Sequence, residues 1–131
     1  MRVAQEQVKN FHLKHGYPTA VRPHLAPFAL GNQRYEFMRE ELEEYAAAIE
    51  CGSLDGVADA LADLIYVALG TAVVFGIDIA QIFEEVHRSN MTKDALDPLT
   101  KKGGKGPGYE PPRIAELLIM QASKLSYHPE R

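Results

Sequence analysis

The stretch from Val57 to Phe75 limits the possible folds more than any other part of the chain. Read as a helix, it places Val57, Leu61, Leu64, Ala68, Ala72 and Phe75 in one stripe, and Ile65, Val67, Leu69 and Val74 cover much of the remaining surface. A helix apolar nearly all round is expected to be central and buried. Yet the same segment carries Asp59 and Asp63 one turn apart, with Asp63 among apolar neighbours, where an ionised carboxylate requires a compensating charge. No Lys or Arg occurs between Cys51 and His87 to supply it. The compensation is therefore either a bound cation or an arginine from another helix, with Arg34, Arg39 and Arg88 as the candidates.

The flanking sequence also reads as helical. Val3 to Lys14 forms a short helix closed by Gly16 and the Tyr17-Pro18 pair, and Thr19 to Gly31, interrupted by Pro23 and Pro27, reads as an extended linker. Asn32 offers an N-cap for a helix from Gln33 to about Glu50, in which Met38, Leu42, Tyr45 and Ile49 recur at helical spacing. Ser53 or Asp55 caps the central helix, and Gly76 stops it. Asp78 caps another helix running to about Met91 with Ile79, Ile82, Phe83 and Val86 as its apolar face. Residues 92 to 112 carry Lys101-Lys102-Gly103-Gly104-Lys105-Gly106-Pro107-Gly108, which reads as a loop or mobile flap, and Ile114 to Leu125 closes the chain as a terminal helix. The expected fold is all-α, an antiparallel bundle of four to five helices with a Gly/Lys-rich loop before the last.

At 131 residues this is one expected domain, residues 1–131. A net charge of −4 provides no basic field for nucleic acid. The N-terminus lacks an apolar signal core, and the longest apolar run, Leu64 to Ile77, falls short of the roughly 20 residues of a membrane span. No membrane is expected, and the location read from this is cytoplasmic. The single cysteine, Cys51, excludes an internal disulfide and reads as a small residue near a helix end.

The carboxylates of the second helix supply the other half of a candidate site. In Glu40-Glu41-Leu42-Glu43-Glu44, a helical step of about 100° puts Glu41 and Glu44 on adjacent turns beside the apolar stripe, with Glu40 just beyond, whereas Glu36, Glu43 and Glu50 point further out. Oxygen-only ligands on rigid helices suit Mg²⁺, or Mn²⁺ in its place. The other reading of a glutamate run is a solvated helix face. Further on, the stripe of Ile79, Phe83 and Val86 continues in phase to Asn90 and nearly to Lys93, an amide and an ammonium expected to face the bundle interior and able to hold phosphate oxygens or a base edge. Glu84-Glu85-Val86-His87 contains one Glu-x-x-His. A di-iron bundle requires two, so His87 reads instead as an interhelical hydrogen-bonding residue.

These residues together resemble the all-α nucleoside triphosphate pyrophosphohydrolases, the MazG-like and phosphoribosyl-ATP pyrophosphohydrolase-like group. The marks are Phe11-His12, Arg34 ahead of Glu40-Glu41-x-x-Glu44, Ala62-Asp63-Leu64-Ile65-Tyr66-Val67 with Gly70-Thr71-Ala72, and Glu85 to Lys93. The resemblance implies a Mg²⁺-dependent enzyme that cleaves a nucleoside triphosphate to the monophosphate and pyrophosphate. It implies Glu41, Glu44 and Asp63 as metal ligands, and Glu40 as a further ligand or water activator alongside Glu44. Where the family's Glu-x-x-Asp has its Glu, this chain has Ala60, and Asp59 is the nearest carboxylate. Asn90 and Lys93 are implied to contact the nucleotide, with Arg34 a further substrate-binding candidate. The loop with Lys102, Lys105 and Tyr109 is implied to close over the triphosphate, and the protein to be a homodimer or homotetramer. A catalytically impaired nucleotide-binding module is the alternative that Ala60 keeps open. The stretch Phe28 to Arg34 and Tyr66 do not by themselves select among dUTP, dCTP, a damaged nucleotide or phosphoribosyl-ATP.

Overall fold

The computed structural model describes residues 1–124, in five helices: α1 (Arg2–His15), α2 (Phe28–Glu50), α3 (Leu54–Phe75), α4 (Ile79–Asn90) and α5 (Ile114–Lys124). Leu125, expected in the last helix, and His128 lie outside the described residues. The fold is all-helical, as expected. The chain divides into two compact units, one over Met1–Ile77 and the other beginning at Asp78, each described by itself below.

In the first unit, α3 packs against both α1 and α2. Ser53 starts α3 as its N-cap, its hydroxyl accepting from the Gly56 N–H at 3.0 Å. Gly76 ends α3 in the left-handed conformation at φ 69°. Its Hα faces the Arg22 carbonyl so closely that a Cβ there would overlap that oxygen. The approach follows from the segment between α1 and α2, which crosses the end of α3. Ala20 N–H donates to Val73 O and His24 N–H to Phe75 O, both at 3.0 Å, so carbonyls that the last turn of a helix leaves unsatisfied find partners.

Two expectations for this unit are corrected. Helix α2 begins at Phe28 with Pro27 as N-cap, five residues before Gln33, because the Pro27 carbonyl accepts from Leu30 and Gly31 N–H at 3.0 Å and opens the helix directly. Asn32 thus lies inside the helix. Helix α3 is not buried on all sides: Ala60, Leu69, Ala72, Val73 and Val74 are core, but Leu61 and Ile65 are 45% and 56% exposed. Two helices cover only part of its circumference. At 22 residues α3 is also long and apolar enough, by length and composition, to cross a membrane, a property shared by core helices of soluble proteins.

In the second unit, α4 and α5 pack together. Gln121, buried on α5, uses its amide as a peptide mimic: its oxygen accepts from Asp78 N–H at 3.0 Å, and its nitrogen donates to Asp78 O at 3.1 Å and to Gln81 Oε1 at 2.8 Å. The buried residues of α4 are Ala80, Ile82 and Ser89. Phe83 and Asn90, expected to face inward, are exposed. The buried face is rotated because Ser89 is held by the chain that returns from the lysine-rich loop, its hydroxyl donating to Glu110 O at 2.7 Å.

Candidate metal and nucleotide site

Helices α2 and α3 form an antiparallel pair, and their pairing brings three carboxylates together. Arg34 meets Thr71 at one end and Ala48 lies against Gly56 at the other, so the middle of α2 faces the middle of α3. There one carboxylate oxygen each from Glu41, Glu44 and Asp63 lie within 4.8 Å of one another. Glu41 and Glu44 are a helical turn apart, as the spacing predicted. Oε2 of Glu41 is buried and bonds no described residue. Burial, the negative charges of Glu44 and Asp63, a hydrogen bond with Glu44 and the charge of Glu40 all raise the Glu41 carboxyl above its ordinary range.

None of the three arginines that competed to neutralise Asp63 forms an ion pair with it. Arg34 donates through Nε to Thr71 Oγ1 at 3.1 Å and through Nη2 to Val67 O at 3.0 Å. Arg39 pairs with Glu36 and Glu43 along its own helix, and Arg88 pairs with Glu85 and Glu110. A cluster of three carboxylates on two helices, one of which has a buried oxygen without a partner among the described residues, has the donor chemistry of a hard divalent cation site.

A cavity of about 270 Å³ opens beside the cluster and shares Glu41 and Asp63 with it. The rest of its lining is Phe11, His12 and Tyr17 from the α1 end, Arg34 and Phe37 from α2, and Tyr66 and Val67 from α3. Phe11 stacks on Tyr17 at 5.5 Å between ring centroids and meets Tyr66 edge-on, also at 5.5 Å. The Arg34 guanidinium lies 5.2 Å from the Phe37 ring centroid. Burial holds the Arg34 pKa below its ordinary value.

Other predicted residues fall outside this convergence. Glu40 and Asp59 are exposed and not among the three clustered carboxylates, and Ala60 is buried at 2% exposure. Asn90, Lys93, Lys102, Lys105 and Tyr109 all belong to the second unit. The lysine-rich segment there is a loop with backbone bonds of its own: Leu96 bridges Gly103, Asp94 N–H donates to Gly104 O at 2.7 Å, and Asp97 N–H donates to Lys102 O at 2.8 Å. Asp97 Oδ1 accepts from Leu99 N–H at 2.7 Å and Thr100 N–H at 3.1 Å, and Lys101 completes the turn at φ 60°. Lys105 sits over the Tyr109 ring at 5.4 Å. His87 is exposed, and its ring makes no interhelical hydrogen bond among the described residues.

The sequence profile of the phosphoribosyl-ATP pyrophosphohydrolase family matches residues 8–90, which run from within α1 to the end of α4. The chain belongs to that family. Nucleotide pyrophosphohydrolysis is the activity the family carries, which makes the protein a hydrolase. A comparison with curated proteins gives no match. The matched region contains the whole acidic cluster and the aromatic cavity; Lys93, Lys102, Lys105 and Tyr109 fall after it.

Sequence reasoning about this pyrophosphohydrolase left several cavity residues without a role. Phe11 and His12 were marks of resemblance only, and Tyr17 and Phe37 carried no assignment. His12 is only 2% exposed, a degree of burial that no spacing rule gives for a histidine on a helix of mixed polarity. The available signal was Gly70 on α3: a bare position in an otherwise apolar helix marks a close approach by another group. A Cβ there would lie 2.6 Å from Arg34 Nη2 and 2.8 Å from His12 Nε2.

Proposed function

We propose that the protein is a Mg²⁺-dependent nucleoside triphosphate pyrophosphohydrolase that cleaves the α–β phosphate bond of a ribo- or deoxynucleotide, giving the monophosphate and pyrophosphate. The observation that carries this reading is the buried Oε2 of Glu41, without a partner among the described residues, in a cluster whose three carboxylates form no ion pair with a described Lys or Arg. Glu41, Glu44 and Asp63 are the ligands for the ion, with Mn²⁺ as a substitute, and Asp59 is a peripheral carboxylate one turn from Asp63. Bound there, Mg²⁺ supplies Lewis-acid polarisation of the phosphates and of nearby water.

The residues of the chain do the rest. Water attacks the α-phosphorus, the bond to the bridging oxygen breaks, and pyrophosphate leaves with the electron pair. Glu40 or Glu44 takes the proton of the attacking water. The cavity beside Glu41 and Asp63 receives the nucleoside, with Arg34 in its wall. The resemblance assigns nucleotide contacts to Asn90, Lys93, Lys102, Lys105 and Tyr109 of the second unit, where the lysine ammonium groups carry the charge that a phosphate ligand calls for. A homodimer or homotetramer accounts for the exposed apolar residues of α2 and α3, including Leu42, Ile49, Leu61 and Ile65. A soluble cytoplasmic protein accords with this assembly. A second reading, a nucleotide-binding module with impaired turnover, draws on Ala60, which leaves three clustered carboxylates where a fourth would complete the family's pattern.

Pyrophosphate release from a panel of ribo- and deoxynucleoside triphosphates, with Mg²⁺, Mn²⁺ or chelator, tests the proposal. Release that requires the metal and falls roughly a hundredfold or more in Asp63→Asn is the expected result. Nucleotide binding with no release from any triphosphate would instead establish the binding module.

A further inference from the structure

His12 lines the cavity with Phe11, Tyr17 and Tyr66, yet it is buried where those three rings are exposed. Its imidazole is wedged between two elements. On the α3 side Nε2 lies against the bare backbone of Gly70, where a Cβ would come within 2.8 Å of it. On the other side Nδ1 donates to Pro18 O at 2.9 Å, since a carbonyl oxygen only accepts. That bond ties down the turn that carries Tyr17. The turn leaves α1 at Gly16, in the left-handed conformation at φ 78°, and Tyr17 N–H donates to His12 O at 2.9 Å. Residue 12 thus holds the turn twice, by its carbonyl, which any residue would supply, and by its imidazole. The Tyr17 ring lies 5.3 Å from the His12 ring and stacks on Phe11 with an interplanar angle of 24°. Pro18 is exposed, so without the imidazole its carbonyl would turn to water at small cost. The helix cap would remain, and the Tyr17 ring would lose its fixed place.

Resting on the reading of this cavity as the nucleoside site, we infer that His12 is a positioning residue: through the bond from Nδ1 to Pro18 O it holds Tyr17 as one wall of an aromatic slot for the base. The exposed surfaces of Phe11, Tyr17 and Tyr66 are where a base can stack, and every base has a π-face, so the slot contributes affinity rather than a choice of base. A wall already in place binds more tightly than one the base must first order, because the ordering entropy is subtracted from binding. The bonds that hold the turn run to Pro18 and to the His12 carbonyl, not to Glu41, Glu44 or Asp63. His12 therefore acts on nucleotide binding and leaves the chemical step at the carboxylate cluster unchanged.

Two amides separate this role from direct contact with the base. His12→Asn places an amide N–H where Nδ1 stands and nothing at Nε2, His12→Gln reaches the Nε2 position and leaves that of Nδ1 empty, and His12→Phe fills the space of the ring with neither. KM and kcat for the triphosphate cleaved fastest in the panel, and equilibrium binding of adenosine and uridine, are measured on the wild type and each variant. KM and the nucleoside Kd are expected to rise roughly tenfold in His12→Phe and His12→Gln with kcat within about twofold of wild type, and to recover to within about threefold in His12→Asn. In a Tyr17→Ala background, where the wall is already gone, His12→Phe adds no further loss. Unchanged KM and Kd in His12→Phe, loss carried by kcat, rescue by Gln rather than Asn, or losses that add in the double variant overturn the inference. Should His12→Phe fail to fold, the comparison of Asn with Gln decides. Triphosphate cleavage by a wild type that binds neither nucleoside retains the hydrolase and rejects the positioning role. Nucleoside binding with rescue by Asn, but no cleavage of any triphosphate, rejects the hydrolase and retains the positioning role.

Discussion

Glu41 shows how one residue carries opposed demands of stability and function. Its carboxylate is half-buried, faces two others and has an oxygen with no partner, so without a cation its charge opposes the packing of α2 on α3. Glu41→Gln is therefore expected to raise the thermal midpoint of the metal-free protein by a few degrees while removing the further rise that Mg²⁺ gives the wild type. Melting curves in chelator and in Mg²⁺ check both parts, and a variant less stable than wild type in chelator would argue against a cation site. The pairing of these residues was partly legible beforehand. The spacing of Glu41 and Glu44 and the apolar setting of Asp63 are properties of two helices, but that Arg34, Arg39 and Arg88 all find other partners depends on contacts that no spacing rule supplies.

At the scale of elements, the ends of the helices are where local chemistry and tertiary contact meet. Gly76 ends α3 in a left-handed turn directly over the Arg22 carbonyl. Gly76→Ala adds both backbone strain and an overlap with that oxygen, and should cost about 1–3 kcal/mol in urea unfolding, with the extended segment released from the end of α3. The end of α4 is held by charge instead. Arg88 spans Glu85 and Glu110, and Glu85 also accepts from Arg113 N–H at 2.6 Å, so that Arg88 first, and then the Arg113 N–H, hold the Glu85 carboxyl at a pKa of about 2. A carboxyl depressed in the folded state stabilises it above the ordinary carboxylate range and loses that contribution as pH falls toward about 2. Urea midpoints between pH 6 and pH 3 should accordingly fall less steeply in Glu85→Gln than in wild type. Equal slopes would mean that the Arg88 network does not contribute.

For the molecule as a whole, the apolar surface left on α2 and α3 is the main unbalanced quantity. Leu42, Ile49, Leu61 and Ile65 are all about half exposed or nearly so, on helices that also carry the acidic cluster. If a second copy covers this surface, Leu61→Glu combined with Ile65→Glu yields a monomer by light scattering while wild type is a dimer or tetramer. A monomeric wild-type protein would reject that assembly.

What the sequence determined by itself is the part of the protein that depends on helical periodicity and on the chemistry of chain termination. This includes the all-helical fold, stops at Gly16 and Gly76, the Ser53 cap and the alignment of Glu41 with Glu44. These follow from steps of about 100° per residue and from interactions within a few residues. Tertiary structure alone decided which apolar surface is covered, that α2 starts at Phe28, that Ser89 rather than Asn90 is buried, and that His12 and Arg34 meet at Gly70. Those outcomes depend on groups far apart in the chain competing for the same partners, and periodicity carries no information about which of them prevails.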